Sequence, residues 1–340
     1  MVTAKVPLQE SRASSHAEEV ARRDQEIRRL KVSLGATFEE LEAAGKVGGG
    51  RLYSFEELLF AELSRDTVPP LVFVHIPKTG GSTLNRILTK NYRWRLDSYG
   101  PDFFPRYYPD EFVALVRPPL PDDTRRPVFF TGHIDLANEI FRYMPVRYVA
   151  VTLLREPVQR IVSHYRFLST LPNRLLSSLS PLQREDMLSG KVTVVDFFRK
   201  FHSHFPLQYQ IFAPTGLSAQ VDTAICGLSH NISIFGLQER FDEFVVLAAA
   251  ALGLVDILYA PINVTTQTAA AVSDAQQEEL ASLLVDDIRF YRAAVEIYDQ
   301  RAASLPFSLK DRTAAFCAAK KQYLAARRAG APHRWRAAYG

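Results

Sequence analysis

Residues 77–83 read Pro-Lys-Thr-Gly-Gly-Ser-Thr and bring one lysine, two glycines and three hydroxyl side chains into a single short stretch. An apolar run at 71–74 precedes the stretch and an amphipathic run at 84–88 follows it, which predicts a strand, a tight loop and a helix. Glycine permits backbone angles that other residues avoid, and the unpaired N–H groups of a helix start attract anions. With the charge of Lys78 added, this loop predicts a clamp for a phosphate or sulfate group.

Two familiar phosphate loops do not fit this stretch. Its lysine precedes the glycines, whereas in a Walker A loop the lysine follows them, and the G-x-G-x-x-G pattern of dinucleotide sites is missing from residues 77–83. Ser82 and Thr83 are expected to cap the following helix. A plain glycine-rich turn with an exposed lysine has the same local sequence, so the loop by itself leaves both interpretations open.

A second corner of the same kind is predicted near residue 155. The apolar run at 148–154 reads as another buried strand, and Pro157 suits the first position of the helix that follows. Arg155 would stand at the carboxyl end of that strand, and Ser163 about two turns into the helix. Ligands of open α/β sheets bind at this edge. The ordinary alternative for Arg155 is a surface salt bridge with Glu156 or a neighbour.

These stretches resemble a known family. Residues 74–83 resemble the 5′-phosphosulfate loop of carbohydrate sulfotransferases that use 3′-phosphoadenosine 5′-phosphosulfate (PAPS), and they are most similar to the heparan sulfate 2-O- and 6-O-sulfotransferase group. Residues 153–167 resemble that family's 3′-phosphate motif, and residues 234–242 resemble a later segment. The resemblance covers about residues 68–300. It implies an α/β fold with a P-loop-like central parallel sheet flanked by helices, and helical extensions at both ends.

The resemblance also implies a reaction and a set of site residues. The protein would move the sulfuryl group from PAPS to a hydroxyl of a carbohydrate or glycan acceptor, with no metal ion. Lys78 would stabilise the charge that develops on the leaving phosphate. The residues implied in donor binding are Pro77, Lys78, Thr79, Gly80, Gly81, Ser82 and Thr83 for the 5′-phosphosulfate, and Arg155 and Ser163 for the 3′-phosphate.

His133 is the candidate general base. Residues 128–131 predict a third strand, Gly132 ends it, and His133 is the first side chain beyond it, again at the carboxyl edge of the sheet. Histidine ordinarily titrates near neutral pH and is suited to take a proton from an attacking hydroxyl. A loop histidine that hydrogen-bonds its own turn is the structural alternative. His75, within the first strand region, is expected to be a buried core histidine.

The extent of the resemblance divides the chain into three parts. The 340 residues carry a formal net charge of +4, which is too small to indicate nucleic-acid binding by itself. We predict an N-terminal helical extension at 1–67, a sulfotransferase domain at 68–300, and a basic helical tail at 301–340. Residues 93–95, Arg-Trp-Arg, are read as a surface turn or a basic aromatic cluster, residues 99–126 as irregular structure, and residues 273–298 as one amphipathic helix.

Nothing in the sequence predicts a transmembrane segment. Residues 1–31 lack the apolar core of a secretory signal, and the longest apolar run, at 245–255, is shorter than the roughly 20 residues that a bilayer requires. The animal members of the family carry an N-terminal Golgi anchor, so this difference predicts a soluble, bacterial-type cytoplasmic protein. Cys226 and Cys317 have no spacing that suggests a metal or redox site.

Two other functions share parts of this pattern. A nucleotide kinase-like phosphotransferase would use the same strand–loop–helix corner, but it would need Mg²⁺ and an aspartate after a strand to hold the metal. A non-catalytic nucleotide-binding module would keep the clamp and have no need of His133.

Overall fold

The computed structural model describes residues 49–61, 63, 69–92, 94–98, 128–138, 140–144, 146–170, 185–186, 189, 191–201, 206–213, 220–262 and 272–329. Three of the predicted regions lie outside these residues in whole or in part. They are most of the expected N-terminal extension at 1–67, the irregular stretch predicted at 99–126, and the end of the basic tail.

A parallel sheet forms the centre of the described part of the chain. Its strands are β1 Leu71–Val74, β2 Trp94–Ser98, β3 Val128–Gly132, β4 Val149–Leu154 and β5 Ile234–Leu237, in the order β2-β3-β1-β4-β5. Leu71 pairs with Phe129 on one side and with Val149 on the other. Because the strands are parallel, their carboxyl ends share one edge. The chain leaves β1 toward β2 on one side and later reaches β4 on the other, an arrangement that favours ligand binding beside β1.

Helices cover both faces of this sheet. Every residue of β1, β3, β4 and β5 is buried, as expected for parallel strands with helices on each side. The helices are α1 Phe55–Phe60, α2 Gly81–Asn91, α3 Ile140–Tyr143, α4 Pro157–Thr170, α5 Val194–Phe201, α6 Gln208–Phe212, α7 Val221–Asn231, α8 Phe241–Leu252, α9 Asp274–Leu283, α10 Val285–Ala303 and α11 Leu309–Arg328. The predicted α/β class is confirmed.

Two predictions about local structure are wrong. Trp94 and Arg95, read as part of a possible surface turn, lie in β2, which forms a parallel edge strand against β3. Arg93 lies outside the described residues, and the alternative of a basic aromatic cluster stays a prediction. The single helix predicted at 273–298 is broken at Leu284, whose ψ of 23° departs from helical geometry. The break lets α9 pack on α4 and α5 while α10 packs on α7 and β5. The predicted cap at Ser273 is confirmed, since its side chain accepts the N–H of Gln276.

Part of the predicted basic tail forms the helix α11, whereas its first residues, 301–303, belong to the end of α10. One face of α11 packs against α8 through the buried side chains of Leu309, Phe316 and Tyr323, which are spaced seven residues apart. Lys320 forms an ion pair with Asp242 at the start of α8. This contact links the tail to the helix that follows β5. No helix in the described ranges is long and apolar enough to cross a membrane.

Candidate active site

The loop after β1 has an unusual backbone. Lys78 adopts a positive φ of 71° and Gly80 one of 91°, both in the left-handed region. For a residue with a side chain this conformation costs about 1–2 kcal/mol, whereas glycine adopts it freely. Gly80 is the N-cap of α2 and makes no side-chain cap, so the predicted capping by Ser82 and Thr83 is wrong. Both residues already lie inside the first turn of the helix.

The three hydroxyl groups of the loop differ in their surroundings. Thr79 is fully buried, and its hydroxyl donates to the carbonyl of Ile76 at 2.9 Å. The Thr83 hydroxyl accepts the N–H of Ile262 at 3.3 Å. Ser82 is exposed at the start of α2. The two threonines therefore help to shape the loop, and the Ser82 side chain faces solvent at the helix start.

The two predicted corners meet. The guanidinium of Arg155 donates from one terminal nitrogen to the carbonyl oxygen of Lys78 at 3.1 Å. The carboxylate of Glu156 accepts the N–H groups of Val158 and Gln159 at the start of α4, so it caps that helix. No ion pair joins Arg155 to Glu156 within the described ranges. The Nε of Arg155 is buried and has no hydrogen-bond partner among the described residues.

Positive charge is concentrated around this contact. Burial, and then the nearby Arg155 guanidinium, lowers the pKa of Lys78 to about 8. The Lys78 ammonium lies 3.8 Å from the centre of the Phe167 ring on α4. Burial likewise lowers the pKa of Arg155, the charges of Glu239 and Glu156 oppose that effect, and the charge of Arg166 adds to it. Ser163, Arg166 and Phe167 are spaced three and four residues apart and share one face of α4.

Arg166 is a site residue that the sequence predictions missed. Its Nε is buried without a hydrogen-bond partner in the part of the chain that the structure describes, as is the Nε of Arg155. Arg166 lies within the predicted 3′-phosphate motif. Its place in the site, as a third basic residue beside Lys78 and Arg155, became visible only from the orientation of α4 in the structure. Two arginines with unsatisfied buried nitrogens, together with the Lys78 ammonium, could bind an anion carrying more than one negative charge.

His133 lies beside this cluster. It follows β3 directly, as predicted. The residue keeps some solvent-exposed surface, while its ring packs edge-on against His75 at 5.0 Å between ring centres. The protein around the ring excludes enough water to lower the pKa of His133 below its ordinary value. His164 is buried nearby, and burial together with the charges of Arg160, Lys78 and His133 lowers its pKa to about 3. His133 and Lys78 thus lie around the same buried histidine.

His75 supports the floor of the site. It is 9% exposed, which confirms the predicted core histidine, and it stacks on Phe73 at 5.1 Å between ring centres. Its ring also lies directly against the start of α2, because a Cβ added to Gly81 would come within 2.1 Å of it. Only glycine allows this close approach between the helix and the histidine that packs on His133.

We expect Gly81→Ala to destabilise the protein by about 1–3 kcal/mol, because the new methyl group overlaps a ring that is held on two sides. Gly80→Ala is the matched comparison. Its Cβ would meet no atom closer than 3.5 Å, so only its positive φ opposes the change. Urea denaturation of both variants measures the difference. Wild-type stability in Gly81→Ala would contradict the packing described for His75.

Fold and site together define an α/β protein with a candidate anion site at the carboxyl edge of its parallel sheet. A model of the sulfotransferase family matches residues 62–258, more than half of the chain. The chain belongs to the sulfotransferase family, whose reaction is sulfuryl transfer. No curated protein sequence gave a match. Among solved structures, mouse sulfotransferase SULT7A1 complexed with PAP is similar, with 12% identity, a TM-score of 0.31, and coverage of 76% of this chain and 94% of that chain.

Proposed function

We propose that the protein transfers the sulfuryl group of PAPS to a hydroxyl of a carbohydrate acceptor. The observation that carries the proposal is the hydrogen bond from Arg155 to the Lys78 carbonyl, which joins two basic strand exits into one site. PAPS carries negative charge at its 5′-phosphosulfate and at its 3′-phosphate. Two adjoining basic corners match those two ends, whereas a single phosphate loop would match one.

The donor would be held by both corners. The N–H groups of residues 79–82, with the exposed Ser82 hydroxyl, would bind the 5′-phosphosulfate at the start of α2. The N–H of Thr83 already donates to the carbonyl of Gly80 at 3.0 Å, so Thr83 would contribute through its hydroxyl hydrogen. Pro77 and the buried Thr79 would contribute through the shape of the loop. Arg155 and Ser163 would bind the 3′-phosphate, with Arg166 as a further donor on the same face of α4.

Transfer would then be an in-line displacement at sulfur. The acceptor oxygen forms a bond to sulfur while the bond from sulfur to the 5′-phosphate oxygen breaks. A ring nitrogen of His133 takes the hydroxyl proton, which requires the neutral imidazole that a lowered pKa favours. The Lys78 ammonium stabilises the charge on the departing phosphate, and adenosine 3′,5′-bisphosphate leaves. The carbohydrate acceptor rests on the resemblance of residues 74–83 and 153–167 to glycan-modifying members.

Transfer of radiolabelled sulfate from PAPS tests this function. The purified protein is incubated with labelled PAPS and, separately, with unsulfated heparosan, chondroitin, simple sugars and a phenol. We expect label on at least one carbohydrate and none on the phenol. Label on the phenol alone would overturn the carbohydrate assignment. Transfer of the γ-phosphate from ATP with Mg²⁺, in the absence of sulfate transfer, would overturn the proposed reaction.

A further inference from the structure

The main chain of Arg155 is held by a side chain from another helix. Arg155 follows the last residue of β4, so its N–H and C=O lie beyond the regular strand pairing. The side-chain oxygen of Gln208 accepts the Arg155 N–H at 2.9 Å, and the Gln208 side-chain nitrogen donates to the Arg155 carbonyl at 2.7 Å. One amide thus takes both hydrogen bonds that a neighbouring strand would otherwise make. Gln208 begins α6 and is fully buried.

A buried carboxyl group lies behind this amide. One carboxyl oxygen of Asp287 lies 3.5 Å from the Gln208 side-chain nitrogen, and the other accepts the N–H of Tyr209 at 3.0 Å. Asp287 and Arg160 are both fully buried. Burial raises the pKa of Asp287, and the charge of Arg160 opposes that rise. Burying two ionisable groups is costly, and apolar residues of the same size often stabilise a fold equally well. The arrangement therefore indicates a role in holding geometry.

A second clamp holds the next residue. The carboxylate of Glu239, in the 3₁₀ turn after β5, accepts the N–H of Glu156 at 2.9 Å. The hydroxyl of Tyr291 donates to the other oxygen of that carboxylate at 2.7 Å. Tyr291 lies one turn after Asp287 on α10, so both clamps are supported from the first two turns of one helix. This helix lies beyond the residues that the family model matches.

We propose that Gln208 and Tyr291 are positioning residues for the Arg155 guanidinium. Gln208 fixes the main chain of Arg155 directly, and Tyr291 fixes Glu156 through Glu239. With the backbone held at both residues, the Arg155 side chain has a fixed origin from which it reaches the Lys78 carbonyl and the anion. The inference rests on the proposed function, because it assigns to this geometry the recognition of the 3′-phosphate.

The test compares two nucleotides that differ only in the 3′-phosphate. Calorimetry measures the Kd of adenosine 3′,5′-bisphosphate and of adenosine 5′-monophosphate for wild type, Gln208→Met and Tyr291→Phe. Gln210→Met is the matched control, since Gln210 is an exposed residue of the same helix whose side chain accepts the N–H of Leu207, and no hydrogen bond joins it to Arg155 in the described part of the chain. We expect Gln208→Met to lower the preference for the bisphosphate by at least about fivefold, as for lost hydrogen-bond support. Tyr291→Phe should lower it less, and Gln210→Met not at all.

The two affinities separate positioning from general stability. A variant that merely loosens the fold weakens both nucleotides together, whereas loss of Arg155 positioning weakens the bisphosphate and leaves the monophosphate unchanged. If circular dichroism shows that Gln208→Met does not fold, Gln208→Asn keeps the amide but shortens its reach and should show the same selective loss.

An unchanged preference in folded Gln208 and Tyr291 variants would overturn the inference and leave the proposed function intact. A wild-type protein with no preference for the bisphosphate would instead overturn the 3′-phosphate site itself.

Discussion

Replacing Lys78 by alanine should reduce sulfuryl transfer from PAPS by about 10²–10³-fold, the usual effect of removing one charge-stabilising donor. The ammonium is held over the Phe167 ring beside Arg155, where burial makes its charge more effective. Initial rates with labelled PAPS measure the loss. Lys321→Ala, which removes an exposed lysine on α11, should keep wild-type activity.

The backbone of Lys78 offers a second control. Because its φ is positive, Lys78→Gly removes the left-handed strain that Lys78→Ala retains. The glycine variant should therefore be about 1 kcal/mol more stable than the alanine variant, and equally inactive. A direct role for the ammonium would be contradicted if the more stable glycine variant were also the more active one. Wild-type turnover in either variant would contradict it as well.

The charge of Lys78 also predicts the alkaline side of the pH profile. With a pKa of about 8 in the free protein, Lys78 loses its proton as pH rises through that value. The kcat/KM for PAPS reports ionisations of the free enzyme, so it should fall above about pH 8.

Replacing His133 by alanine should remove transfer while leaving nucleotide affinity unchanged. A positioned general base typically contributes about 10²–10⁴-fold to a rate, and nothing in the proposed donor contacts involves this ring. Calorimetry with adenosine 3′,5′-bisphosphate and rate measurements with labelled PAPS separate the two effects. His230→Ala, an exposed histidine on α7, is the control and should behave as wild type.

The same residue predicts the acidic side of the pH profile. The base must be neutral, and burial lowers the pKa of His133 below its ordinary 6.5, so kcat/KM should decline only at pH values below that. The residual rate of His133→Ala should lack this decline. Loss of nucleotide binding in His133→Ala would make the residue structural, and full transfer activity would show that His133 is not the general base.

The local sequence was sufficient to predict the two strand-to-helix loops that follow β1 and β4. The apolar runs before Lys78 and Arg155, and proline at the first position of α4, fix a strand followed by a helix at each place. Parallel pairing of β1 with β4 then brings the two corners together, which the sequence could predict only by assuming one sheet. His133 was predicted by the same reasoning, from its place after β3.

The supporting residues could not be predicted in this way. Gln208 and Tyr291 lie far from Arg155 in the sequence and carry no motif, and their role depends on how α6 and α10 pack. Arg166 could not be assigned to the site from the sequence, because its position depends on which face of α4 is turned toward the site. The caps expected from Ser82 and Thr83 failed because the left-handed Gly80 starts α2 without a side-chain hydrogen bond.

Several expectations stay predictions. The boundaries of the three parts at 67 and 300 and the cytoplasmic location rest on the sequence. The proposed function and the sequence together are the basis for the donor-binding roles of Pro77, Thr79, Gly80, Gly81 and Ser163.

The central claim is that adjoining basic corners bind a nucleotide at its 5′ and 3′ ends at once. The wild-type calorimetric comparison of adenosine 3′,5′-bisphosphate with adenosine 5′-monophosphate measures this directly. Charge-assisted hydrogen bonds from Arg155 and its neighbours predict a preference of at least about tenfold for the bisphosphate. Equal affinities would contradict the account, because Arg155 would then contribute nothing to donor recognition.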